Sequence, residues 1–313
     1  MKYTTPYIYI LLLITGSLFS CEDDITFEFA DYDNEVVVEG YIEEGEVARV
    51  FLTRSQSFFD PISNDSVLVT IEGFDFYVPE FLYKILVLDA IVVVSDGTQN
   101  DSLELWFDPY TYPYMVYKGK NIIGQTGGVY QLSVFADGKS LSAITTIHES
   151  IPIDSLWFEA LSEQHDSIGY IHGIFDDPPE QGNYFRVFTK SKGRDSIYVH
   201  PWNSVGYDRN INGEEDVEFT IYHGENDFED DEEDISRWYF HIGEKVSIKF
   251  CSIDKANYDF WQSFQRNAGG SGNPFAAPSP TKSNIEGGLG VWGGYGVYQI
   301  DYIVEVNDSI ISE

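Results

Sequence analysis

Short runs of alternating apolar and polar residues, each closed within about ten residues by Gly, Asp or Pro, set the tightest limit on this fold. The first run is Val36-Val37-Val38-Glu39-Gly40-Tyr41-Ile42; Glu43 to Glu46 makes a turn, and Val47 to Arg54 returns as a second strand. Ala90 to Ser95 stops at Asp96-Gly97, Leu103 to Phe107 stops at Asp108-Pro109, and Val129 to Val134 and Leu141 to Ile147 flank Asp137-Gly138. β-Branched and aromatic side chains suit a pleated, half-buried surface. No sustained helical period interrupts them, so residues 36–149 are expected to fold as an immunoglobulin-like β-sandwich. The stretch from Ser55 to Asp89 is less regular. Val67 to Val78 reads as a strand broken at Pro79, and Tyr83 to Leu88 as either a strand or a short buried helix.

Ile151-Pro152-Ile153-Asp154 reads as a linker into a second β-rich domain, residues 150–313. Its expected strands are Trp157-Phe158, Ile168 to Phe175, Tyr184 to Thr189, Ser196 to His200, Val217 to Tyr222, Trp238 to Ile242, Lys245 to Ile253 and a last one near Tyr298 to Val306. Asp176-Asp177-Pro178-Pro179 is a strong turn. One short helix is expected over Asp259 to Gln265, with Phe260, Trp261 and Phe264 on one face. The fold class is therefore mostly β, a sandwich followed by a second β-rich domain.

The chain has 313 residues, 43% of them hydrophobic and 16% aromatic, which is ample for a packed core. Its 52 acidic residues against 18 basic ones give a net charge of −34. Such an excess repels nucleic acid and anionic lipid and fits solubility, divalent-cation association or a basic partner.

The first 20 residues have the form of a secretory leader: Lys2, an apolar run from Tyr7 to Leu18, and a small residue, Ser20, before the cut. The apolar run is about a dozen residues, shorter than the roughly 20 that a spanning helix needs. Leu18-Phe19-Ser20-Cys21 resembles a bacterial lipobox, which implies processing before Cys21 and attachment of acyl chains such as palmitate to that residue. Residues 21–35 are expected to form an acidic tether. Glu22, Asp23 and Asp24, directly behind Cys21, resemble the acidic export signal of surface-exposed lipoproteins. Acylation of Cys21 leaves Cys251 alone, in a strand-like alternation where it is expected to serve as a small packed side chain.

Chemistry-bearing motifs are few. Gly288-Leu289-Gly290-Val291-Trp292-Gly293 matches G-x-G-x-x-G, but the strand-like Tyr295 to Ile300 follows where a dinucleotide site needs a helix. The expected reading is a glycine-rich turn of closely approaching backbones. The acidic run Glu229 to Asp234 lacks EF-hand spacing and reads as a solvated loop, with calcium binding as the alternative. His148, His165, His172, His200, His223 and His241 form no H-x-H or H-E-x-x-H pair. No catalytic residue, cofactor site or metal site is expected. Trp157, Trp202, Trp238, Trp261 and Trp292 are expected to be core, with a sugar or peptide groove as the alternative. Asn273 to Gly293 is expected to pack as an ordered loop across the second domain, with Trp292 buried.

Several segments together resemble a Bacteroidota group of outer-membrane lipoproteins catalogued as a domain of unknown function, number four-two-four-nine. They are Val36 to Tyr41, Ile151 to Leu156, Phe175 to Pro179 with Asn183 to Arg186, and Asn273-Pro274-Phe275 with Ser283-Asn284-Ile285, Gly287 to Gly290 and Gly293. The resemblance implies an outer-membrane lipoprotein and a companion role beside TonB-dependent outer-membrane receptors, and the acidic run after Cys21 adds the expectation that it faces the cell surface. It supplies no catalytic residues. The expected function is thus a non-catalytic binding or accessory subunit of an outer-membrane transporter or assembly complex. A structural scaffold and a hydrolase with an unrecognised site stand as alternatives.

Overall fold

The computed structural model describes residues 34–57, 63, 65–71, 73–224, 235–269 and 280–305. The leader, residues 21–33 of the tether including Cys21, Glu22, Asp23 and Asp24, the acidic run at 229–234, and residues 273–279 lie outside the described residues. The described residues form one compact unit.

The chain is mostly β, as expected. The strands are β1 (Val36–Glu43), β2 (Val47–Arg54), β3 (Ser66–Ile71), β4 (Phe74–Pro79), β5 (Ile91–Ser95), β6 (Asn100–Ser102), β7 (Glu104–Phe107), β8 (Met115–Ile123) and β9 (Val129–Ala136). They continue with β10 (Lys139–Thr146), β11 (Ser155–Ser162), β12 (His165–Phe175), β13 (Tyr184–Ser191), β14 (Val205–Tyr207), β15 (Val217–Ile221), β16 (Phe240–His241), β17 (Lys245–Ile253) and β18 (Leu289–Ile303). The helices are α1 (Glu80–Ile85) and α2 (Lys255–Gly269), with a 3-10 turn at Ile235–Trp238. The ambiguous Tyr83 to Leu88 is thus in part helix, because Leu82 and Leu86 lie on one face and both are buried.

An eight-stranded sheet in the order β14-β13-β17-β18-β1-β2-β8-β7 is the frame. Successive side chains of a strand face opposite ways. Val36, Val38 and Ile42 of β1, with Trp292 of β18, point to one face, where they meet Val92, Val94, Leu132, Val134 and Leu141 of the sheet β10-β9-β5-β6. That is the first core. Farther along the same face, Val246, Ile248 and Phe250 of β17 and Phe185 of β13 meet Phe158, Ile171, Phe175 and Ile221 of the sheet β11-β12-β15. That is the second core. The opposite face carries α2, whose Tyr258 packs with Cys251, Ile253 and Tyr295. Asp254 caps this helix through Oδ1, which accepts the Asn257 N–H at 2.8 Å. The helix is longer than the Asp259 to Gln265 expected.

The sheet runs across residue 149/150, and the first core draws residues from both sides of it. β1 pairs in parallel with β18, matching Val37 with Leu289 and Glu43 with Tyr295, and Ile285 and Trp292 pack in the first core. The stretch expected as a loop over the second domain is here a central strand from Leu289 onward. Trp292 is fully buried, but in the first core, where its Nε1–H donates to the Tyr130 carbonyl at 3.0 Å.

The glycine-rich segment is likewise a strand and not a turn, and the expected close backbone approach is what requires it. A Cβ on Gly290 would lie 1.8 Å from the Val38 carbonyl oxygen. One on Gly294 or Gly296 would strike the segment joining β10 to β11, at 2.5 Å from the Thr146 oxygen or 1.9 Å from the His148 oxygen. Glycine lets that segment cross the sheet in contact with it, along the seam between the cores. Ser196 to His200, expected as a strand, contributes one bridge, Val199 to Thr189.

Candidate functional site

The crossing segment and the turn after β12 frame a cleft of about 490 Å³. His148, Glu149 and Pro152 form one wall, Asp176, Asp177, Pro178, Pro179 and Glu180 the other, and Ser252 and Ile253 at the end of β17 complete it. Its size falls within the range of small-molecule and side-chain pockets.

The second wall is strapped down by residues from far along the chain. The Asp177 N–H donates to the Glu214 carbonyl at 3.0 Å, and the Asp216 N–H to Asp176 Oδ1 at 2.9 Å. Asp208 holds the turn from beneath: its Oδ2 accepts the Gly182 N–H at 2.6 Å and the Asn183 N–H at 2.9 Å. The Asn183 side chain donates to the Glu180 carbonyl at 2.6 Å. These bonds fix an Asp-Pro-Pro turn that has few backbone donors of its own.

Two polar groups in the cleft stay unsatisfied. Asp177 is 5% exposed; its Oδ2 accepts the Gly213 N–H at 3.0 Å, while Oδ1 accepts no hydrogen bond. Ser252 is 6% exposed, and its Oγ has no partner. Burial raises the Asp177 carboxyl above its usual range and the Asp208 charge adds to the rise, while the Gly213 N–H opposes it. Buried polar atoms without partners are uncommon in folded proteins, and two of them belong to residues that line this one cleft.

The other expected chemistry-bearing residues scatter. His223 and Asp195 form a buried pair at 3.2 Å, but their side chains are only 2% and 1% exposed, which leaves no approach for a substrate. His172 stacks on Trp157 and lies 3.0 Å from Glu159. Among the described residues no group of three His, Cys, Asp or Glu side chains is placed to hold a metal ion. Of the five tryptophans after residue 150, Trp261 and Trp292 are core, Trp157 is half-buried, and Trp202 and Trp238 are exposed. Cys251 is fully buried, as expected, and burial pushes its thiol up, away from reactivity.

Sequence reasoning reads Asp177 only as part of a turn and passes over Ser252. The available signal was Asp-Asp ahead of Pro-Pro, an acidic pair in a segment with little freedom to turn away.

Fold and cleft together define a mostly β protein in which two cores share one sheet and a cleft lies at their seam. The profile of the family described as Domain of unknown function (DUF4249) matches residues 22–301, and the chain belongs to that family. No curated protein and no solved structure matches it.

Proposed function

We propose that this protein is a surface-anchored outer-membrane lipoprotein acting as a non-catalytic binding subunit, an accessory of an outer-membrane transporter or assembly complex. One observation carries the binding role: the seam cleft holds an unsatisfied carboxylate and an unsatisfied hydroxyl at fixed positions. Acid–base hydrolysis of the glycosidase kind needs two working carboxylates. Asp208, the carboxylate whose charge acts on Asp177, is engaged by the Gly182 and Asn183 backbone, which favours capture over catalysis.

The anchor rests on Cys21 and its leader. β1 begins at Val36, so a tether of residues 21–35 spans at most about 50 Å when fully extended. A TonB-dependent receptor is the partner the family resemblance points to. The scaffold alternative draws on an exposed apolar pair on the outer side of β5 and β9: Ile91 and Phe135 sit opposite each other and are 62% and 50% exposed.

Cys21→Ala is expected to abolish labelling by a fatty-acid probe; a labelled variant would overturn the anchor. Replacing Glu22, Asp23 and Asp24 by Ala is expected to preserve labelling and lose surface display, read by protease shaving of intact cells. Equal cleavage of variant and parent would remove the export role.

A further inference from the structure

We propose that the seam cleft binds an organic cation, a primary ammonium or guanidinium group carried on an alkyl stem. This rests on the binding reading above and specifies its ligand.

The polar groups select the class. Asp177 Oδ1 and Ser252 Oγ are buried oxygens without partners, both able to accept N–H donors. Around them stand Glu149, Asp176 and Glu180, and no Lys or Arg is among the lining residues. A buried carboxylate that has lost its hydration is best compensated by a charge-assisted hydrogen bond from a cation. An anionic ligand would meet like charge at every wall.

The dimensions exclude a bare metal ion as the natural occupant. Ca²⁺ takes six to eight oxygens at about 2.3–2.6 Å, and no metal-holding group of three side chains exists among the described residues. About 490 Å³ instead suits an extended side chain. Pro152, Pro178 and Pro179 offer apolar walls to methylene groups while the charged end reaches Asp177. Asp208 and Asn183 back the turn that carries Asp177, so the approach of a cation to the buried Oδ1 takes a local shift of the Asp177 side chain and not of the turn.

The same chemistry arises on a free amine or on a Lys or Arg of a partner protein, and the two are separable. The full processed lipoprotein, purified in detergent, would be titrated calorimetrically with cadaverine and with an acetylated, amidated trilysine peptide. The norleucine counterpart of the peptide and CaCl₂ serve as controls. Saturable binding of cadaverine alone assigns a small amine; binding of the peptide with weak or no cadaverine binding assigns a partner's side chain. Asp177→Asn is expected to weaken either by about tenfold or more, since the amide turns a donor toward the cation. Ser252→Ala and Glu180→Gln are expected to weaken it less. Equal binding of the norleucine peptide, heats for Ca²⁺ alone, or affinities unchanged in Asp177→Asn and Ser252→Ala would overturn the proposal. Should Asp177→Asn not fold, the other two variants decide. Surface display without amine binding removes the ligand class and leaves the lipoprotein reading; amine binding without display does the reverse.

Discussion

The two cores of this molecule share a sheet yet are made of different material. The first is built mainly from Val, Leu, Ile and Ala, with Tyr117, Tyr130 and Trp292 set among them; β9 is exposed and buried at every second residue along its whole length. The second mixes Ile and Val with a phenylalanine cluster, in which Phe175, Phe185, Phe219 and Phe250 pack ring against ring at 5.0–5.6 Å. Polar burial divides in the same way. The first half buries Asp101 and Thr145, whereas the second buries Asp177, Arg186, Asp195, Asp208 and His223 among others. Aliphatic strands with short turns specify a stable register. Aromatic packing with long, strapped loops leaves room for buried charges, and it is there that the cleft lies.

Two buried aspartates condense the contrast. Asp101 is saturated, its Oδ2 accepting the Lys120, Asn121 and Ile122 N–H groups at 2.8–3.1 Å and its Oδ1 the Asn121 side chain. Burial pushes its carboxyl up, the four donors outweigh that, and the group sits below its usual range. Asp177 is half-satisfied, and its carboxyl sits above.

The hardest blow to the contrast would come from Trp292. It is encoded among the second core's residues but packs in the first. Trp292→Ala is expected to cost about 3–5 kcal/mol, with hydrogen exchange accelerated in β5, β9 and β10 before β11 and β12. Faster exchange in the second core first would mean that the cores are not distinct. Gly296→Ala should cost somewhat less, about 1–3 kcal/mol, and loosen both cores together, because its Cβ displaces the seam segment at His148. Denaturant unfolding with one tryptophan probe in each core checks this.

The aspartates provide the finest test. Asp101→Asn is expected to lose about 1–3 kcal/mol at neutral pH, because an amide cannot accept all four donors. Asp177→Asn is expected to lose nothing, or to gain. The signs follow from linkage. Asp101, lowered in the fold, contributes fully above the unfolded carboxylate value of about 4 and loses that contribution as acid protonates it. Asp177, raised in the fold, is penalised at neutral pH, and the penalty fades as pH falls through its raised value. Both variants should therefore converge on the parent in acid, from opposite sides. Convergence from the same side would break the comparison.

Much of the β framework was legible in the residues. β1, β2, β5, β9 and β10 alternate, and Asp137-Gly138 marks their tightest hairpin, with both residues at positive φ. What could not be read was partnership across distance. Gly288 to Gly296 looks like loop because glycine usually breaks strands; here the glycines remove side chains where Val38, Thr146 and His148 already occupy the space. The cleft was hidden for the same reason. Asp177 owes its state to Gly213 and Asp208, more than thirty residues away, and no local pattern announces such a meeting.

The parallel pairing of β1 with β18 reaches into the protein's biogenesis. Val37 and Leu289 are 252 positions apart, so the centre of the main sheet stays open while most of the chain is being made. A chain emerging amino end first would carry β1 with one bare edge and a vacant Trp292 site until the strand from Leu289 arrives. Until that strand arrives β1 is open to mispairing, and a chain truncated before Leu289 should present it as a sticky, unfinished margin.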